Sequence, residues 1–295
     1  MKEITILSGK GGTGKTTITA AIASMAKKSV FCDNDVDAAD LHLLLKPTVK
    51  EEYSFNSGWD VSIDPAKCAG CGLCKRYCRF DAIHTTKDNE YSINPYQCEG
   101  CLLCERICPA QAITSKQNSN NYWYVSDTRF GPLVHAKMGP GEENSGKLVT
   151  QVRKKAKEIA RQNQADYIIN DGPPGIGCAA IASVTGTDEV LVVMEPTKSG
   201  LHDAQRLVEL VQSFKIPVKA IINKDDINQE MANEIEQFFK RSEIQIIGSI
   251  PFDHAMTESM VRELTITEYQ PKSLLSQKIN NIWDKIKADE VNRIS

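Results

Sequence analysis

Between a strand-like run, Glu3 to Leu7, and a stretch rich in Ala and Ile, Thr16 to Lys28, the chain reads Gly9-Lys10-Gly11-Gly12-Thr13-Gly14-Lys15-Thr16. The string fits G-x-x-x-x-G-K-[ST], and its chemistry admits few folds. Glycines let backbone N–H groups close around phosphate oxygens, and the N-terminus of the following helix adds its free amides. In that frame Lys15 reaches the β and γ phosphates of a nucleotide, and the Thr16 hydroxyl ligates Mg²⁺. Such a loop needs a strand feeding it and a helix leaving it, so the start of the chain is committed to β–loop–α.

The rest of the chain carries the same alternation forward. Ser29 to Asp33 is a second apolar strand ending in acid, followed by a loop and a short helix to about Leu45. Strand-like stretches recur at Tyr122 to Asp127, Pro132 to Lys137, Tyr167 to Asn170, Val190 to Met194, Val218 to Ile222 and Ile244 to Ile247, and Lys147 to Gln162 reads as a charged helix. Strands alternating with helices predict an α/β fold, a mostly parallel sheet with helices on both faces. Ligands of such sheets bind at the carboxyl ends of the strands.

Residues 56–116 break the rhythm. Eight of the ten cysteines lie between Cys68 and Cys108, in two copies of C-x2-C-x2-C-x3-C that start 30 residues apart. Cysteines in a chain with no room for a signal peptide ahead of its first strand point to metal or redox chemistry rather than disulfides. This spacing belongs to ferredoxins holding two [4Fe-4S] clusters, where the fourth cysteine of each run serves the other cluster. One cluster is assigned Cys68, Cys71, Cys74 and Cys108, the second Cys98, Cys101, Cys104 and Cys78. Structural zinc sites instead pair two C-x2-C knuckles across a longer gap. Cys108-Pro109 keeps the usual ending, whereas Cys78-Arg79 lacks that rigid turn and places a positive charge beside a cluster. The tails Asp81-Ala82-Ile83 and Gln111-Ala112-Ile113 match and are expected against the clusters. The domains expected are 1–55 with 117–295 for the scaffold, Gln117 to Asn121 being a polar loop, and 56–116 for a small inserted α+β ferredoxin-like domain.

Lys10, directly after the first glycine, makes the phosphate loop resemble the deviant Walker A motif of the MinD/ParA/nitrogenase-iron-protein group of dimerising ATPases. The resemblance runs from Met1 to at least Glu263, and it implies ATP hydrolysis by a homodimer that forms on ATP binding. It implies further that Lys10 crosses to the partner's nucleotide, with Lys10, Lys15 and Asp35 as the catalytic set. Asp35, in Asp33-Asn34-Asp35-Val36-Asp37, would position the attacking water. Thr16, Asp33 and Asp171 would surround Mg²⁺, Asp171 within a Walker-B-like Asp171-Gly172-Pro173-Pro174-Gly175 after a strand. Gly9 through Thr16 with Thr17 would hold the phosphates. Asn223, in Ile222-Asn223-Lys224, would bond the base, and Pro251 and Phe252 would line it. Asp37 reads as a cap of the next helix.

Two cysteines stand apart. Cys32, in a buried strand, reads as a small hydrophobe. Cys178 follows the switch turn, where the nitrogenase iron protein has an interface cysteine. The five histidines show no metal-ligand spacing and are assigned no role. Gly141 to Lys147 repeats G-x-x-x-x-G-K, but Leu148 stands where a hydroxyl should, so it reads as a helix-capping loop. Leu275, Ile279, Ile282 and Ile286 recur at helical period, and Asp284, Asp289 and Glu290 dilute the basic face that a membrane-surface helix would need; packing on the scaffold is expected over membrane contact.

The net charge of −3 gives no global reason for nucleic-acid or lipid binding, and no apolar run approaches the roughly 20 residues of a membrane span. A cytoplasmic protein is expected. The leading functional expectation is an ATPase coupling its nucleotide state to electron transfer or metal-cofactor handling with an unidentified redox or metallocofactor partner. The alternatives are a spatial organiser like MinD or ParA with structural clusters, and an iron–sulfur carrier or scaffold.

Overall fold

The computed structural model describes residues 1–56, 58–86, 88, 90–118, 121–139 and 145–294, the side chains of 145 and 289–294 excepted. Its strands are β1 (Lys2–Ser8), β2 (Ser29–Asp33), β3 (Thr48–Phe55), β4 (Trp59–Ile63), β5 (Ile83–Thr85), β6 (Tyr91–Ile93), β7 (Ile113–Gln117), β8 (Asn121–Thr128), β9 (Gly131–Lys137), β10 (Tyr167–Pro174), β11 (Glu189–Met194), β12 (Val218–Asn223) and β13 (Gln245–Ile250). The helices are α1 (Lys15–Met25), α2 (Leu41–Leu45), α3 (Leu73–Tyr77), α4 (Leu103–Ile107), α5 (Ser145–Gln162), α6 (Cys178–Val184), α7 (Lys198–Ser213), α8 (Gln229–Arg241), α9 (His254–Val261), α10 (Ile266–Tyr269) and α11 (Leu274–Ile294). Met1–Tyr53, Trp123–Lys137 and Ser145–Ser295 make one compact unit; Ser54–Tyr122 and Met138–Asn144 make another. The insert is therefore longer than 56–116. Gln117 closes β7 and Asn121 opens β8, so both ends of the expected polar loop belong to strands; residues 119 and 120 lie outside the described residues.

The larger unit is organised by one sheet in the order β13-β12-β11-β1-β10-β2-β9-β8-β3. From β13 to β9 each neighbouring pair runs parallel. Side chains of successive residues leave a strand on opposite faces. Ile4 and Ile6 of β1, Leu191 and Val193 of β11 and Ile221 of β12 accordingly join the core under α1, α2 and α11. Leu7, Val190, Val192, Met194, Ala220 and Ile222 join the core under α7 and α8. Burial on both faces explains the continuous apolar runs. The Leu275, Ile279, Ile282 and Ile286 stripe is buried in the first core, so α11 spends its apolar face on the scaffold; Asp289 and Glu290 fall outside the described side chains. Among the described residues no helix is long and apolar enough to cross a membrane. The Gly141 to Lys147 string lies largely outside the described residues, and α5 starts at Ser145.

The smaller unit is an internal repeat in backbone conformation as well as in sequence. β4 pairs antiparallel with β7 and β5 with β6. Asp81 and Gln111 both sit at φ 49°, and Ala82, Ile83, Ala112 and Ile113 are buried. Cys78 (φ −71°, ψ 113°) and Cys108 (φ −73°, ψ 108°) share one backbone conformation. Arg79 in place of proline therefore leaves the local chain path unchanged.

His135 of β9 is 7% exposed, accepts or donates a 3.0 Å hydrogen bond with Ser126 Oγ, and stacks on His42 and Tyr124. Burial, then the proximity of His42, lowers its pKa to about 4. An unfolded histidine takes its proton near pH 6.5, so between about 6.5 and 4 the unfolded chain binds more protons and stability falls as pH falls. The loss from this group is expected to reach about 3 kcal/mol at ~1.4 kcal/mol per pH unit. Urea midpoints measured from pH 7 to 4.5 should fall less steeply in His135→Gln than in the parent.

Candidate functional site

β1 delivers the chain into the phosphate loop at Ser8, and α1 leaves it at Lys15. Gly14, the N-cap of α1, has φ 85°, and a Cβ there would lie 2.3 Å from Asn223 Nδ2. No other residue type suits both the left-handed backbone and that approach. Asn223, at the end of β12 and 4% exposed, donates to the Thr13 carbonyl at 2.7 Å. It thus braces the loop; a bond from Asn223 to the base stays what the resemblance implies.

Asp171 of β10 is the convergence point. Its Oδ1 lies 2.9 Å from Lys15 Nζ and accepts from Thr19 Oγ1 at 2.8 Å; its Oδ2 accepts from Thr16 Oγ1 at 2.6 Å. Its carbonyl accepts from Asn34 N–H at 2.8 Å. β10 continues beyond the expected end at Asn170 as far as Pro174, so the acid lies within the strand. Gly172 permits this, because a Cβ there would stand 2.3 Å from Leu7 Cδ2 and 3.0 Å from the Ile6 carbonyl. The β1–β10 register shifts at that point.

Asp33 and Asp35 differ in their surroundings. Asp33 is fully buried, and its two oxygens accept from the N–H groups of Asp35 and Leu41, both at 3.1 Å. Burial above all, with Asp171 beside it, pushes its pKa well up. The Leu41 bond shows that Asp33 supplies an acceptor to the start of α2, whose N-cap position falls to Asp40 rather than to Asp37. Asp35 faces the open pocket, and burial raises its pKa to about 6 against the opposing pull of Lys15.

That pocket encloses about 1240 Å³ of empty space, open to solvent. Gly11, Gly12, Thr13, Gly14, Lys15, Thr16, Thr17, Asp35, Asn223, Pro251 and Phe252 all line it. Gly9, Lys10, Asp33 and Asp171 do not. Lys10 folds back instead: its Nζ lies 2.7 Å from Glu195 Oε1 and donates to Thr197 Oγ1 at 3.0 Å and Ser199 Oγ at 3.3 Å. Glu195 also pairs with Lys224 at 2.9 Å, and Lys224 donates to the Gly12 carbonyl at 3.1 Å. Sequence reasoning missed Glu195, because it sits past β11 in a segment with no motif. It also missed Met256 and Met260 of α9, which line the same pocket, Met260 Sδ accepting from Thr17 Oγ1 at 3.3 Å.

The smaller unit holds two further pockets. One is lined by Cys78, Cys98, Cys101 and Cys104 with Ala82 and Ile83. The other is lined by Cys68, Cys71, Cys74 and Cys108 with Ala112 and Ile113. The structure thus gathers the eight cysteines in the two crossed sets expected from their spacing, all as free thiols. Burial, with Cys98 and Cys101 adding to it, raises the Cys104 thiol to about 11. Among the described residues no three Cys, His, Asp or Glu side chains are gathered tightly enough to hold a single ion. Cys32 is buried, its thiol donating to Asn34 Oδ1 at 3.1 Å, and Cys178 is exposed at the start of α6.

Residues 4–266 match the model of the CobQ/CobB/MinD/ParA nucleotide-binding domain. The chain is 34% identical over 290 residues to an uncharacterized protein of Methanocaldococcus jannaschii, covering 97% of this chain and 96% of that one. It is 22% identical to an iron–sulfur cluster carrier protein of Pyrococcus horikoshii, over 97% of this chain and 88% of that one. Its fold resembles that of the septum site-determining protein MinD of Pyrococcus horikoshii solved with Mg-ADP (TM-score 0.57, 20% identity, 97% and 95% coverage).

If Asn223 braces the loop, Asn223→Ala should free the Thr13 carbonyl and weaken nucleotide binding about 10-fold, as expected for losing one buried hydrogen bond of about 1–3 kcal/mol. Titration with a fluorescent ATP analogue, with thermal melting as a check on folding, measures this.

Proposed function

Because the chain belongs to the CobQ/CobB/MinD/ParA nucleotide-binding-domain family, we propose that it is a dimerising ATPase that carries two [4Fe-4S] clusters and couples its nucleotide state to electron transfer. The observation carrying this reading is the sorting of eight cysteines into two four-thiol pockets in a chain whose other unit presents a complete phosphate loop. Four thiols set around empty space suit a cluster. A single zinc ion, bonding sulfur at about 2.3 Å, would draw them to one point. Bound clusters supply one-electron transfer.

In the larger unit, ATP phosphates replace the Asp171 carboxylate as the partner of Lys15. That exchange would leave Asp171 and Thr16 free to hold Mg²⁺, which would supply positive charge to the transferring phosphoryl group. Asp35, at the pocket wall, orients the attacking water, and its carboxylate accepts a hydrogen bond from it. Phe252, Met256 and Met260 offer the base an apolar wall. Lys10 must leave Glu195 to act. Delivered across a dimer, its charge stabilises the phosphoryl transition state, the task for which phosphoryl-transfer enzymes recruit a cation in trans.

A carrier reading is favoured by the exposure of Cys71 and Cys101 and by the similarity to the Pyrococcus carrier. It predicts transfer of iron and sulfide to an apo-ferredoxin within minutes, whereas the electron-transfer reading predicts retention. Anaerobic purification should yield about eight irons per chain. ATP turnover and dimer fraction should differ between dithionite-reduced and oxidised protein; equal values in both states would overturn the coupling. Lys10→Ala should lower turnover by about 10³-fold or more while retaining nucleotide binding, and full activity in that variant would overturn the role given to Lys10.

A further inference from the structure

We propose that the exposed edge Lys75–Phe80 is the docking surface for an acidic electron-carrier protein, which exchanges one electron with the cluster held by Cys78, Cys98, Cys101 and Cys104. The proposal rests on the iron–sulfur reading above. Its warrant is an asymmetry between two repeats that the fold treats alike. Lys75, Arg76, Tyr77, Arg79 and Phe80 of the first repeat correspond to Glu105, Arg106, Ile107, Pro109 and Ala110 of the second. The two cysteines that end these repeats share one backbone conformation, so the second repeat is an internal control: the fold needs neither the extra cations nor the aromatic pair.

Those residues face water. Lys75, Arg76 and Arg79 are exposed, Tyr77 is 52% and Phe80 42% exposed, and the Arg76 guanidinium lies 5.8 Å from the Tyr77 ring centre. Among the described residues no carboxylate pairs with Lys75, Arg76 or Arg79; Lys75 donates to Thr85 Oγ1 at 3.1 Å. Exposed aromatics beside unpaired arginines are the composition of interface anchors rather than of ordinary surface. The edge is also continuous with one pocket only. Tyr77 and Phe80 line the Cys78/Cys98/Cys101/Cys104 pocket, together with a single carboxylate, Glu99. The pocket of Cys68, Cys71, Cys74 and Cys108 has no charged residue in its lining. Charge complementarity selects an acidic partner, and steering by such a patch acts on encounter rate. The step moves one electron between cluster and carrier; no bond forms or breaks and no proton moves.

The test uses the full chain, purified anaerobically and reduced with dithionite, then oxidised in a stopped-flow instrument by either the ferric–EDTA anion or the hexaammineruthenium(III) cation. Recovery of visible absorbance is followed, and cluster potentials are measured to correct for driving force. In the parent, oxidation by ferric–EDTA should slow as salt rises. Arg76→Glu/Arg79→Glu should slow that reaction about 10-fold at low salt and leave oxidation by ruthenium equal or faster. Arg106→Glu on the second repeat should leave the ratio of the two rates unchanged. Should the double reversal fail to load clusters, Arg76→Gln/Arg79→Gln should show the same shift at smaller size. Cluster-loaded variants with the parent's rate ratio, or an equal effect from Arg106→Glu, would overturn the docking surface and leave the iron–sulfur reading intact. A parent protein without iron would overturn both.

Discussion

The buried contact between Asp171 and Lys15 is the interaction around which the larger unit is arranged. Lys15 is 6% and Asp171 1% exposed, so each charge depends on the other and on the hydroxyls of Thr16 and Thr19. Removing one partner from such a pair leaves a buried charge uncompensated, at a cost of about 3–5 kcal/mol. The same acid reaches its position only because β10 presses against β1 at Gly172, and its carbonyl ties down Asn34 at the end of β2. Three adjacent strands thus meet at one carboxylate. Anything that draws Lys15 away must bring its own negative charge and must leave Asp171 a cation. A magnesium nucleotide meets both conditions together.

Lys10 presents the opposite economy. Its pair with Glu195 is 27% and 15% exposed, and contacts of that kind contribute about 1 kcal/mol or less. Glu195 keeps Lys224 when Lys10 departs, so no carboxylate is stranded. The burial and hydrogen bonds around Glu195 act in opposite directions on its pKa, and the bonds from Lys10 and Lys224 carry it below the usual range. One lysine of the loop is therefore held firmly until phosphate arrives, and the other is held loosely enough to move.

What the sequence revealed, and what it hid, follows from how local each cause is. The glycine loop, the alternating strands and the cysteine spacing are set by neighbouring residues, and they are legible. The packing side of Leu275, Ile279, Ile282 and Ile286 was legible too, because a helical stripe of that width demands cover. β3 was not, since Lys50, Glu51 and Glu52 on an exposed edge strand carry no apolar alternation. The N-cap position of α2 was less legible: it falls to Asp40, three residues beyond Asp37, while Asp33 reaches Leu41 across the loop. Glu195 and the bracing role of Asn223 are contacts between residues some 180 or more positions apart, and only the sheet order brings them together.

The smaller unit sharpens the point about repeats. Two cysteines of each run lie on a loop, the third in the one-turn helix that follows and the fourth just beyond it, and the fourth lines the other pocket, as in two-cluster ferredoxins, with Arg79 standing where the second repeat has proline. A pseudo-symmetric scaffold that tolerates arginine and proline at matching positions does not require either. Differences between the repeats are then free to record something other than folding. The first repeat puts two exposed aromatics, Tyr77 and Phe80, in the lining of one pocket with exposed cations next to them in sequence, and the second repeat, with Glu105, Ile107 and Pro109 at the same stations, shows that no demand of the fold placed them there.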